Sequence, residues 1–144
     1  ALMPAETSAQ ISNSTNGIEP PRSLVSIKQS KDGVLKQVVP EINRLKNKYE
    51  LLWDQESPVG YIKIMAGLQK FIDQSISTNT SYNPKFYPDG KIPMSEMLQH
   101  QLMMYRYGIK TGYYFNTADG AGEIDLKDLE QGELDQEDCD SCTI

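Results

Sequence analysis

Histidine and cysteine are nearly absent from this 144-residue chain: there is one His, at position 100, and two Cys, at 139 and 142. A lone His gives little support to a Cys–His or Ser–His–Asp catalytic pair. Two cysteines do not make a disulfide scaffold. Together with His100 they also fall short of the four ligands a structural zinc site takes, so no metal is expected on this chain. No run of about 18 apolar residues is present, which excludes a membrane-spanning helix. No basic stretch leads into an apolar one as in a signal peptide. A reducing cytoplasm is therefore the expected compartment. Nor does a Lys/Arg face of the kind nucleic acid requires stand out. The first residues are Ala1, Leu2, Met3 and Pro4 rather than an initiator Met, so a fragment, a processed product or one piece of a split protein is expected.

What is present suits one modest α+β domain. Hydrophobic residues make up 38% of the chain, with one Trp, three Phe and eight Tyr. The net charge of −6 is unevenly spread. Residues 119–144 hold ten Asp/Glu and one Lys, whereas residues 1–118 hold ten Asp/Glu and thirteen Lys/Arg. The acidity lies in the tail, and such blocks usually stay solvated and disordered.

Local signals divide the rest. A short helix can start near Thr7 or Ser8, and Pro20-Pro21 blocks its continuation. Residues 23–28 and 34–39 are short β-branched runs around Asp32-Gly33, a hairpin signal. Pro40 then suits a helix start. Helices are expected over residues 41–53, from Ser57-Pro58 to 72, and over 94–107. Their apolar stripes would be Ile42, Leu45, Tyr49, Leu52 and Trp53; then Ile64, Leu68, Phe71 and Ile72; then Met94, Met97, Leu98, Leu102 and Tyr105. A short buried strand is expected over 75–79 and a proline-rich loop over 83–93. Gly108 should cap the third helix, and a last strand should span 109–115. Residues from 116 onward are expected to be mobile. His100 reads as a surface histidine, and Met94, Met97, Met103 and Met104 as helix packing or an adaptable docking face.

Three features could carry chemistry. Pro4, Ala5, Glu6, Thr7 and Ser8 open a helix with small hydroxyl residues. That is the pattern of an ordinary cap, and also of a phosphate site at a helix N-terminus. Tyr113-Tyr114 in a strand ordinarily means one core and one surface residue, since neighbours point to opposite faces. A phenol can also relay a radical by losing a proton and an electron together. Cys139 and Cys142 sit at the end of the acidic tail, outside any βαβ pattern, and suit a carrier dithiol on a flexible arm. The 24 residues from Phe115 to Cys139 would span roughly 25–30 Å as a flexible chain. Glu137, Asp138 and Asp140 should raise both thiol pKa values by like-charge repulsion.

Taken together these residues resemble the large subunit of class I (aerobic) ribonucleotide reductases, of the bacterial and phage type that reduces ribonucleoside diphosphates. Residues 1–20 resemble its substrate-phosphate loop, residues 70–79 a second stretch, residues 108–114 its radical-transfer tyrosines, and the tail its redox cysteines. The resemblance runs the length of the chain in the expected order. It implies the C-terminal part of a ten-stranded α/β-barrel subunit. Residues 1–22 would end the barrel, 23–115 form a small αβααβ-like domain, and 116–144 the redox tail.

The resemblance also implies roles. Glu6, Thr7 and Ser8, with Pro4 and the Ala5 backbone, would hold the substrate diphosphate. Tyr113 would stand beside the cysteine that becomes a thiyl radical, and Tyr114 would relay toward the small subunit with its di-iron/tyrosyl radical centre. Cys139 and Cys142 would reduce the active-site disulfide and be re-reduced by thioredoxin or glutaredoxin. The face of the third helix would help dock the small subunit's C-terminal tail. The implied partners are the N-terminal part of the large subunit, the small subunit, the reductant protein and the nucleotide, with no nucleic acid and no membrane. No cofactor would be bound by this chain, and ATP/dATP effectors would bind the missing part. Ala5 departs from a common hydroxyl residue and Gly112 from a larger apolar one. No cysteine outside the tail can serve as the thiyl or active-site cysteines, so those must come from elsewhere. A non-catalytic module that binds the small subunit, or a remnant of a split gene, is the alternative.

Overall fold

In the computed structural model, residues 1–30 and 33–119 are described. The elements run α1 (Glu6–Ile11), β1 (Val25–Ser30), β2 (Gly33–Val38), α2 (Ile42–Leu45), α3 (Val59–Gln69), β3 (Thr78–Tyr82), α4 (Met94–Arg106) and β4 (Gly112–Thr117). The mixture of helices and strands is α+β, as expected. β1 and β2 pair antiparallel with Val25 opposite Val38 and Ser30 opposite Gly33. Gly33 sits at φ +141, where only glycine is comfortable, so the hairpin reading holds. β3 and β4 pair parallel, and α4 makes the crossover between them.

The helix expected over 41–53 is broken. α2 spans four residues, a 3-10 turn follows at Lys46–Lys48, Tyr49 is extended, and a second 3-10 turn forms at Leu52–Asp54. The apolar residues there answer to different neighbours. The Tyr49 hydroxyl donates to Pro40 O at 2.8 Å, and the Leu52 amide donates to Pro21 O at 2.9 Å. Leu52 and Trp53 are buried, with the Arg22 guanidinium 5.8 Å from the Trp53 ring centre. A continuous helix would satisfy the period and forfeit these contacts.

α3 buries Tyr61, Ile62, Met65, Ala66 and Gln69. This is one step round the helix from the expected stripe, and Ile64 and Phe71 are exposed. The core joins this face to Ile76, Met104 and Ile109. Ile62 and Met65 are fully buried, each contributing about 1.5–3 kcal/mol of transfer free energy. α4 likewise turns a different face inward. His100 and Met104 are buried, whereas Met94, Leu98, Leu102 and Tyr105 are exposed. His100 is only 5% exposed, which corrects its reading as a surface residue. Burial costs it little, because its Nδ1 is hydrogen-bonded to the Tyr82 hydroxyl at 3.1 Å and its ring stacks on Tyr82.

Gly108, at φ +79, ends α4 as expected. The Gly108 amide donates to Tyr105 O and the Ile109 amide to Met104 O, while Ile109 and Met104 share the core. This Schellman motif turns the chain out of the helix and into β4. The strand expected at 75–79 lies later, as β3, although Ile76 bridges Leu2. The Leu2 amide donates to Ser75 O and the Ser77 amide to Leu2 O, which ties the N-terminal residues to the chain after α3. β4 runs on through Asn116 and Thr117, past the expected end of the last strand. Among the described residues no helix is long and apolar enough to cross a membrane.

Candidate functional site

The tyrosine pair lies on β4, and the way β4 joins β3 decides its shape. Thr78 is opposite Gly112, but Thr80 is opposite Phe115. Two steps along β3 match three along β4, so Tyr113 and Tyr114 together face Asn79. An extra residue interrupts the alternation of side chains across a strand. The two phenol rings consequently lie against each other, 4.1 Å between centres and tilted by 56°. Both are about half exposed, at 49% and 58%. The expectation of one core and one surface tyrosine is overturned by this bulge. A side-chain hydrogen bond to Tyr114, followed by that phenol's charge, raises the Tyr113 pKa above its ordinary 10.0. Tyr113 is therefore a neutral phenol at physiological pH.

The bulge is held from β3. Asn79 Oδ1 accepts the Tyr114 amide at 3.2 Å, and Asn79 Nδ2 donates to Glu19 Oε2 at 3.2 Å. Glu19 also lies near Tyr61, whose pKa is pushed up to about 12 by burial first and by the Glu19 charge second. Glu19, Leu52, Tyr61 and Asn79 help line a cavity of about 10 Å³. Just ahead of β4, the Lys110 amide meets Gln69 Oε1 at 3.5 Å. Buried Gln69 also donates to Ile72 O and Gln74 O. The sequence reading passed over Asn79, Glu19 and Gln69. Residues 70–79 stood out as a stretch, but nothing in their spacing marks Asn79.

Pro4 to Ser8 are exposed at the start of α1. Ala5 occupies the N-cap without a side-chain cap, and the first intrahelical bond runs from the Ala9 amide to Ala5 O at 2.8 Å. The Ala5 amide is already donated to Asn16 O at 3.0 Å. The Ala5 backbone N–H is thus donated within the chain in this structure. Glu6, Thr7 and Ser8 remain at the exposed first turn. Beside this segment a cleft of about 670 Å³ runs between residues 13–16, the 19–23 segment and the base of the β1–β2 hairpin. Cys139 and Cys142 lie outside the described residues. Among the described residues no group of three or more His, Cys, Asp or Glu could hold a metal ion.

Residues 1–115 match the family described as ribonucleotide reductase, barrel domain. The chain is 58% identical over 130 residues to ribonucleoside-diphosphate reductase subunit alpha of Buchnera aphidicola subsp. Baizongia pistaciae, covering 90% of this chain and 17% of the relative. It is 59% identical over 132 residues to the Haemophilus influenzae subunit alpha, covering 92% and 17%. It is 44% identical over 146 aligned positions to that of Enterobacteria phage T4, covering 100% and 19%. The chain thus spans less than a fifth of the length of these relatives.

Proposed function

The chain belongs to the ribonucleotide reductase barrel-domain family, and we propose on that footing that it supplies the C-terminal part of a ribonucleoside-diphosphate reductase large subunit. In this reading it completes a ten-stranded barrel together with the N-terminal part of the subunit. It contributes substrate-diphosphate binding at Glu6, Thr7 and Ser8, radical transfer at Tyr113 and Tyr114, and reducing equivalents through Cys139 and Cys142. The observation that carries it is the contact between two half-exposed phenols, 4.1 Å apart on a bulged strand. Ring contact of this kind serves a one-electron, one-proton relay and has little value as core packing, since both rings remain open to a partner.

The oxidising equivalent would be supplied by the small subunit, whose implied di-iron/tyrosyl centre lies outside this chain. On this chain, Tyr114 gives up the equivalent of a hydrogen atom, one electron and one proton, and takes the same from Tyr113. Tyr113 in turn draws on a cysteine of the N-terminal part. The ribonucleotide is reduced by two electrons from a dithiol in that part. The disulfide left behind is reduced by Cys139 and Cys142, and theirs by thioredoxin or glutaredoxin in the cytoplasm. ATP and dATP act on the missing part. The exposed stripe of Met94, Leu98, Leu102 and Tyr105 along α4 supports docking of the small subunit's tail, because contiguous exposed apolar residues on one helix face often mark an interaction site.

The test is dithiol-dependent reduction of CDP by the chain, its N-terminal complement and the small subunit. Activity should vanish with Tyr113→Phe or Tyr114→Phe. It should survive Cys139→Ser/Cys142→Ser only when a small dithiol replaces thioredoxin. The α4 stripe also favours a second reading, a non-catalytic module that binds the small subunit. Tight binding to the small subunit without any reduction by the complete mixture would select that reading.

A further inference from the structure

An extra residue in a strand leaves one backbone amide out of step with the ladder, and a mismatched amide drifts unless something accepts it. Here the bulge falls at Tyr113 and Tyr114, opposite Asn79. We propose that Asn79 is a positioning residue that holds the two phenols in contact, by accepting the Tyr114 amide and anchoring itself on Glu19. Both bonds are 3.2 Å long. One side-chain amide can make them together because its oxygen and nitrogen diverge, the first toward β4 and the second toward the N-terminal segment. Thr78 and Thr80, on either side, are buried at 1% exposure, so the Asn79 side chain takes the opposite, more open face of β3. Neither an apolar nor a longer residue at position 79 makes this pair of bonds. Glu19 follows α1 and its turn, so the contact also couples the N-terminal segment to the tyrosine strand.

The catalytic consequence rests on the relay reading given above, but the structural consequence does not. Two readouts in the complete assembly separate them. The first is hydrogen exchange at the Tyr114 amide, resolved by fragmentation mass spectrometry. Asn79→Ala should speed exchange there about fivefold, the value of one net hydrogen bond, while the α3 and α4 amides keep their protection. The second is the split between kcat and KM. Asn79→Ala should lower kcat on the order of tenfold to a hundredfold and leave KM for the nucleoside diphosphate unchanged, since position 79 lies outside the turn at residues 6–8 proposed to bind it. The double variant Asn79→Asp/Glu19→Gln can keep both bonds, with donor and acceptor exchanged only between positions 79 and 19 and the net charge preserved. It should recover both the exchange rate and kcat, which a loss of simple packing would not do. Unchanged Tyr114 exchange in Asn79→Ala, or a folded double variant that recovers neither readout, overturns the proposal. If the unsubstituted assembly shows no reductase activity, the relay reading fails and the exchange measurement alone decides on Asn79.

Discussion

Acidification offers a clean test of the buried side of α4, because His100 is the only histidine in the chain. It is 5% exposed, with Tyr82 of β3 against its ring and hydrogen-bonded to its Nδ1, and with Glu96 one turn earlier on α4. Burial pushes its pKa below the ordinary 6.5, and the Glu96 carboxylate pulls it part of the way back. Between that lowered value and 6.5 the unfolded chain binds a proton that the folded chain refuses. Stability therefore falls as the pH drops through this window, and the effect is complete once the pH is below the folded value. The slope is bounded by one proton, about 1.4 kcal/mol per pH unit. His100→Gln removes the titration and keeps a side chain that can donate to or accept from the Tyr82 hydroxyl. Urea midpoints followed by the fluorescence of the single Trp53, buried at 8% exposure, should then diverge between the two proteins. The unsubstituted chain should lose stability from pH 7 to pH 5 relative to the variant. Reading the difference between the two cancels any titration that they share. Parallel curves, or an unsubstituted chain that gains stability on acidification, would refute the account of His100 as a buried, neutral imidazole.

Two further outcomes follow from the packing. Ile62 is fully buried at the centre of the core, so Ile62→Ala should cost about 2–5 kcal/mol, and a melting temperature within a degree or two of the parent would contradict the core described. At Gly112 an added Cβ would meet Gln101 Oε1 and Met104 Cε at 3.5 Å each, ordinary contact distances, and its φ is not in the left-handed region. Gly112→Ala should therefore stabilise by about 0.4–1 kcal/mol, through the entropy of the unfolded chain, and a lowered urea midpoint would show that β4 needs a glycine there.

Much of the local structure was legible residue by residue. Asp32-Gly33 between β-branched runs announced the hairpin, and Gly108 announced the end of α4, because positive φ and the lack of a side chain are properties of single residues. Helical periodicity found α3 and α4 but only part of the side each buries, since Leu68 and Ile72 do pack on the core. Ile64 and Phe71, like Leu98 and Tyr105, are apolar and correctly spaced yet exposed. A helix in this chain carries enough apolar residues for two faces, and only the neighbours decide which face goes inside. The break of the expected 41–53 helix has the same origin, since the contacts of Tyr49 with Pro40 and of Leu52 with Pro21 outweigh local propensity.

The sequence by itself determined the family, through an ordered set of motifs, and with it the identity of the tyrosines and cysteines to be tested. It also determined the charge divide between body and tail. Tertiary structure alone decided that Tyr113 and Tyr114 share a side. Strand alternation places adjacent residues on opposite faces, and the exception comes from how β4 is registered against β3, a pairing between segments more than thirty residues apart. The partnership of Asn79 with Glu19, sixty residues away in sequence, was hidden for the same reason. Spacing along a chain encodes contacts within one element, whereas a hydrogen bond between distant segments exists only once the core has brought their backbones together.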